Sequence, residues 1–341
     1  MGKRMLQAVL KYVVPVIIGV GLIYFLYKNV DLEAMMTTLQ SEVNYLWFIP
    51  VICISIMSHV FRALRWRLQL RAIGVGAPLH PIVNSIFGTY AVNLVFPRLG
   101  EVWRCGYIAQ RENASFTQVV GSMVADRLSD TVTVLVLTLG TFALAQDAFY
   151  SFLSTYPQVK DGLVGMATSW KVWLLALACL AALAWLATSK TQNAIVLKVK
   201  GMVKGLWDGF AAIAHMEGKW WFLLYTVLLW GCYFMQLYIA AQAFTFTCDL
   251  SALAILVLFV LSSIGMGIPT NGGLGAWHMA IIFGLSLYGV GTFSSEHPDA
   301  QASAFAMLVW GIQTLLLIVL GIYAFACIAT EKKKPSNAQQ Q

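Results

Sequence analysis

The chain has 341 residues, 59% of them hydrophobic and only 11% charged, with a formal net charge of +7. A water-soluble domain carries about 25% charged residues, so a soluble enzyme or soluble binding domain is excluded. The basic residues lie beside the ends of apolar runs, which points to membrane orientation and anionic headgroups rather than to nucleic acid.

Roughly 20 apolar residues are needed to cross a bilayer. Apolar length predicts six full crossings at about 9–28, 45–66, 117–145, 170–188, 220–244 and 302–328. Two shorter units, about 81–112 and 252–290, are interrupted by proline and glycine. The expected fold is all-α: a polytopic integral membrane helical bundle, six full spans plus two broken or re-entrant hairpins in inverted arrangement. It forms one domain over 1–341, with tails at 1–8 and 329–341. Lys3, Arg4 and Lys11, then Arg62 to Arg71, then Lys190 to Lys219, then Lys332 to Lys334 mark one face, and acidic loops mark the other. By the positive-inside rule both termini are cytoplasmic, and the two broken units enter from opposite faces. The stretches 146–169 and 189–219 are too short for a soluble core. The six cysteines are scattered singly and read as small hydrophobes.

In chain order, Arg62, Arg65, Trp66 and Arg67 close the second span. They read as an interfacial belt of basic and aromatic anchors, with Arg65 a candidate for headgroup contact. The first break reads Pro97-Arg98-Leu99-Gly100-Glu101 after the apolar run Pro81–Phe96. Arg98, Glu101 and Arg104 cluster there, with Glu101 and Arg104 on one helical face. Guanidinium groups match phosphate oxygens, so this tip is a candidate lipid-phosphate grip. Arg111, further on, reads as an orientation charge.

The third span carries Asp126-Arg127-Leu128-Ser129-Asp130. At 1.5 Å per residue, Asp126 lies about 13 Å into a helix starting near Thr117. An intramembrane charge costs on the order of 2.5–3.5 kcal/mol, so it needs a polar cavity or a partner. Asp126 and Asp130 are expected to position arginines, Arg98 or Arg104, which in turn meet phosphate; Arg127 reaches Asp130 at i, i+3.

The second break reads Pro269-Thr270-Asn271-Gly272-Gly273-Leu274-Gly275, and a helix containing His278 follows. Asn271, Gly272 and Gly273 expose backbone N–H groups at a helix start, a candidate anion site. His278 is read by default as hydrogen-bonded, with proton coupling as the sharper alternative. Tyr233, Gln236, Gln242 and Gln313 read as interhelical glue, and Ala148–Trp170 as an amphipathic surface segment.

Four motifs in order carry a family resemblance: Arg62-x-x-Arg65-Trp66, Pro97-Arg98-Leu99-Gly100-Glu101-x-x-Arg104, Asp126-Arg127-x-x-Asp130 and Pro269-x-x-Gly272-Gly273-x-Gly275. Together they resemble the lysylphosphatidylglycerol synthase transmembrane-region family, the flippase-like membrane module of the multiple peptide resistance factor, over about residues 9–328. The resemblance implies a flippase-type fold whose ligand is a phospholipid or polyprenyl-like lipid. Relatives often read Pro-Gly-Arg where this chain has Pro97-Arg98, and Glu-Arg where it has Asp126-Arg127. At the position of His278 an acidic residue is also common. The aminoacyltransferase domain of the resistance factor does not follow, so the chain is not expected to lysylate phosphatidylglycerol.

The function expected is non-enzymatic translocation of an anionic or zwitterionic lipid across a bacterial inner membrane. The alternatives are handling of polyprenyl-phosphate-linked glycolipids, as enzyme accessory or translocator, and ion-coupled transport of a small solute. No phosphate-binding P-loop is present, and no metal or cofactor is called for. The partners expected are membrane lipids, with a homodimer and a separate lipid-modifying enzyme left open.

Overall fold

Short side-chain caps and long apolar runs set the elements of this computed structural model, which describes residues 30–96, 98–147, 216–268, 270–293 and 299–331. Scattered residues within 20–28 and 150–181 are described as well. Among the described residues the regular structure is entirely helical: α1 (Leu32–Ser41), α2 (Phe48–Ala72), α3 (Leu79–Val95), α4 (Leu99–Glu112), α5 (Phe116–Leu144), α6 (Lys219–Ala241), α7 (Ala252–Gly265), α8 (Ala276–Ser286) and α9 (Ala300–Thr330). Asp31, Ser251 and Asp299 cap α1, α7 and α9, each accepting first-turn backbone N–H groups.

Among the described residues four helices are long and apolar enough to cross a membrane: α2 with the 3₁₀ turn before it, α5, α6 and α9. The expected spans at 9–28 and 170–188 fall largely outside the described residues. The second span runs to Ala72 rather than ending near residue 66. Helix α1 was not foreseen: its ten residues read as a loop between the first two spans.

The broken units are half-length. Helices α3, α4, α7 and α8 have 17, 14, 14 and 11 residues. At 1.5 Å per residue these reach only about 17–26 Å, short of a hydrocarbon core of about 30 Å. Each pair folds back on itself. Gly100 sits so close to α3 that a side chain there would run into the Thr89 carbonyl. Gly265 packs on Ala276 and Ala280 across the second turn.

Helix α9 fixes where the hairpins lie. Its first turns pack Phe305 on Phe244, and Asp299 adjoins Gly291, which follows α8. At its centre Trp310 Nε1 donates to Gly272 O (2.9 Å), and Gly321 touches Ala91 of α3. At its far end Phe325 meets Trp103, and Glu331 accepts from Tyr107 Oη (2.6 Å). The α7–α8 hairpin therefore lies along the first half of α9 and the α3–α4 hairpin along the second, with their turns meeting in the middle.

Two apolar cores follow this division. One gathers Phe48, Leu237, Phe244, Phe259, Ile281 and Phe305; the other gathers Trp66, Leu70, Ile82, Ile86, Ile108 and Val119. Val132, Leu135, Val136 and Leu139 of α5 stay exposed, as side chains facing lipid would.

Candidate functional site: a buried arginine–aspartate network

Spacing on two helices builds the site. On α2, His59, Arg62, Arg65, Trp66 and Gln69 fall at intervals of three and four, so they share one buried face. On α5, Ser122, Asp126 and Asp130 do the same. Packing these faces together places charge opposite charge.

Asp126 is fully buried and takes Arg65 through Nε (2.9 Å) and Nη2 (2.6 Å) on one oxygen. Its other oxygen faces Arg104 Nη2 at 3.4 Å and Arg62 Nη1 at 3.5 Å. Asp130 receives Arg62 Nη1 (2.8 Å) and Arg65 Nη2 (2.7 Å). Tyr233 Oη accepts from Arg62 Nε and Nη2 (3.3 and 3.2 Å) and lies 3.4 Å from Tyr90 Oη. Arg104 stacks over Trp66 at 4.3 Å, whose indole N–H donates to Ser122 Oγ. At the edge, Arg127 bridges Glu101 (2.8 Å) and Asp130 (3.5 Å).

Among the described residues three buried guanidinium groups thus share two carboxylates, and the Arg127–Glu101 pair is neutral, so one positive charge remains. The surplus shows in the hydrogen bonds: Arg65 Nη1, Arg104 Nε and Arg104 Nη1 have no partner among the described residues. A buried donor left unmade is costly. Such donors suit an anion with several oxygens.

Several expectations need correction. Arg62, Arg65 and Trp66 are no interfacial belt, for all three are buried; the helix continues past them to Ala72, so they lie one to three turns inside its end. Sequence reasoning leaves Arg62 outside the candidate site, although its i, i+3, i+4 register with Arg65 and Trp66 is the signal that it belongs there. Arg98 does not join Asp126. It is exposed, adopts a left-handed backbone (φ 61°, ψ 1°), and donates from Nη2 to Gly267 O at 2.9 Å. Arg104 does join Asp126, as foreseen. His278 is fully buried and neither ring nitrogen has a partner among the described residues. It packs against the rings of Tyr27, Trp277 and Trp310, and the expected hydrogen bond is not made within the described residues. Gln313 does act as glue, accepting from Ser55 Oγ.

The two breaks touch one another, and of their residues Glu101 also reaches the network's edge through Arg127. Pro97 and Pro269 themselves lie outside the described residues. Asn271 Nδ2 donates to Leu94 O (3.1 Å) and Val95 O (3.0 Å), the last carbonyls of α3. Gly272, Gly273 and Gly275 all have positive φ, which glycine alone adopts without strain. Asn271–Gly273 forms a 3₁₀ turn, and α8 begins three residues later at Ala276.

Against known proteins, the family described as Lysylphosphatidylglycerol synthase TM region matches residues 12–321. No curated protein and no solved structure matches the chain.

Proposed function

Since the chain belongs to the lysylphosphatidylglycerol synthase transmembrane-region family, we propose that it translocates an anionic phospholipid or related lipid phosphate across a bacterial inner membrane. The family and its apolar helices make it a membrane protein tied to lipids. One observation carries the finer reading: a net-positive, partly unpartnered guanidinium cluster beside two half-length hairpins.

The chemistry follows from cost. Moving a phosphate through hydrocarbon forfeits its hydration, and a charge within the bilayer is held only by partners or water. Arg65 and Arg104 offer fixed donors that replace water around the phosphate. Asp126 and Asp130 hold those guanidinium groups in place, so an incoming phosphate competes with carboxylates and is released again. Both aspartates face at least two arginines, which makes them positioning groups; the activity is binding and passage, not catalysis.

The contacts of α9 with one hairpin on each half support entry of the two hairpins from opposite leaflets, as an inverted duplication requires. On this reading, with the Lys- and Arg-rich segments facing the cytoplasm, the network sits in the cytoplasmic half and both termini are cytoplasmic.

Fluorescent phosphatidylglycerol crossing in reconstituted vesicles tests this. The native chain is expected to accelerate crossing, and Arg104→Gln to abolish it. Arg104→Lys, which keeps charge but loses the planar fork, is expected to retain a reduced rate. Crossing as fast with Arg104→Gln as with the native chain, in protein that remains folded by gel filtration, would overturn the proposal.

A further inference from the structure

Where the two breaks meet, an apolar groove of about 370 Å³ opens sideways from the bundle. One wall is the end of α3, with Ala91 and Leu94. The other is the α9 ridge of Thr314, Ile318 and Ile322, and Leu274 closes one end. Gly321 lets α9 approach Ala91 and forms the floor. Ile318 and Ile322 are 44% and 67% exposed, so the groove faces the surroundings rather than the interior.

We infer that this groove seats one acyl chain of an anionic phospholipid, with the lipid's phosphate at the junction of Arg98 and Asn271. The inference rests on the translocation reading above and names where its lipid docks. Three observations choose the occupant. The groove lies beside the centre of α9, where four half-length helices end, hence at the depth of hydrocarbon. Its lining is almost wholly apolar, which a chain satisfies and a polar solute does not. Its one strongly polar end carries Asn271, whose Nδ2 stays on the Leu94 and Val95 carbonyls and so fixes that end without offering the phosphate a donor. Arg98, exposed and donating to Gly267 O in the facing break, supplies a cation at the same junction. A phosphate there would draw Arg98 away from Gly267, loosening the contact between the two breaks at the moment the lipid is loaded. The groove and the arginine network lie on different faces of α3: Ala91 and Leu94 face the groove, whereas Tyr90 faces Tyr233. The chain can therefore stay in the bilayer while the headgroup moves inside.

The test is photo-crosslinking of the full chain in vesicles. One arm uses phosphatidylglycerol bearing a mid-chain diazirine, the other phosphatidylcholine bearing the same group. Adducts mapped by mass spectrometry are expected on residues 91–95 and 314–322, in excess of those on Leu135 and Leu139 of α5, and more with phosphatidylglycerol. Ile318→Trp is expected to remove the groove adducts, and Arg98→Gln to remove the headgroup preference. Adducts spread evenly over all exposed helices would overturn the inference. So would crosslinks joining two copies through α9, which would make the groove a dimer contact. Undiminished lipid crossing in Ile318→Trp would defeat the groove while leaving translocation standing; undiminished crossing in Arg104→Gln would defeat translocation itself.

Discussion

Asp126 is the residue on which the buried charges balance. Breaking a buried ion pair by removing one partner costs about 3–5 kcal/mol, because the other charge is left uncompensated. Asp126 serves Arg65, Arg104 and Arg62. Asp126→Asn is therefore expected to destabilise by about that amount, read as a lower thermal unfolding midpoint in detergent. The double variant Asp126→Asn/Arg65→Gln is expected to lose less than the two single losses combined, as contacting partners do. The aspartates were legible in the sequence because a short acid deep in an apolar helix has no other reason to be there. Arg104 was legible for its helical register with Glu101. Arg62 was not, because basic residues near a span's end have an ordinary explanation, and only the packing of α2 on α5 tells a buried face from a belt. The grouping of Arg98 with the network failed for the same reason. Proximity in sequence to Arg104 says nothing about a left-handed residue that turns the chain away before α4 begins.

The broken elements hold together by contacts that a single side chain can undo. Asn271 ties the second break to the last two carbonyls of α3. A typical intramolecular hydrogen bond contributes about 0.5–1.5 kcal/mol net. Asn271→Ala is expected to cost about that much and to raise hydrogen–deuterium exchange at 94–99 and 266–275, with α5 and α6 unchanged. Gly100 makes a second case. A leucine there would displace α4 from Thr89, at a cost of about 1–3 kcal/mol for overpacking. Since α4 carries Arg104, Gly100→Leu is expected to slow lipid crossing more than the same volume added at exposed Val102. Both breaks were evident from proline and glycine within apolar runs, and their half-length helices are as foreseen. That the breaks would clasp each other was not, since the pairing of Asn271 with Leu94 spans 177 residues.

At the scale of the molecule, two apolar cores each enclose one hairpin, and α9 runs past both. The topology this implies can be measured directly. With the native cysteines replaced, Gly76→Cys and Ser115→Cys flank the first hairpin, and Asp249→Cys and Thr292→Cys flank the second; all four positions are exposed. An impermeant thiol reagent is expected to label the first pair only from the cytoplasmic side and the second only from outside. Labelling of all four from one side would contradict opposite entry. The positive-inside pattern is what predicts this arrangement from the chain, because loop charge records orientation even where the helices are too short to count as spans.

The proposed translocation stands on surplus buried guanidinium groups that hold a lipid phosphate. Native mass spectrometry of the gently extracted protein tests it most directly. The native chain should retain a bound anionic phospholipid, Arg104→Gln should lose it, and Arg111→Gln, which alters the pairs with Glu112 and Glu331 away from the network, should keep it. Equal retention of that lipid by all three proteins, or its absence from the native chain, would contradict the claim.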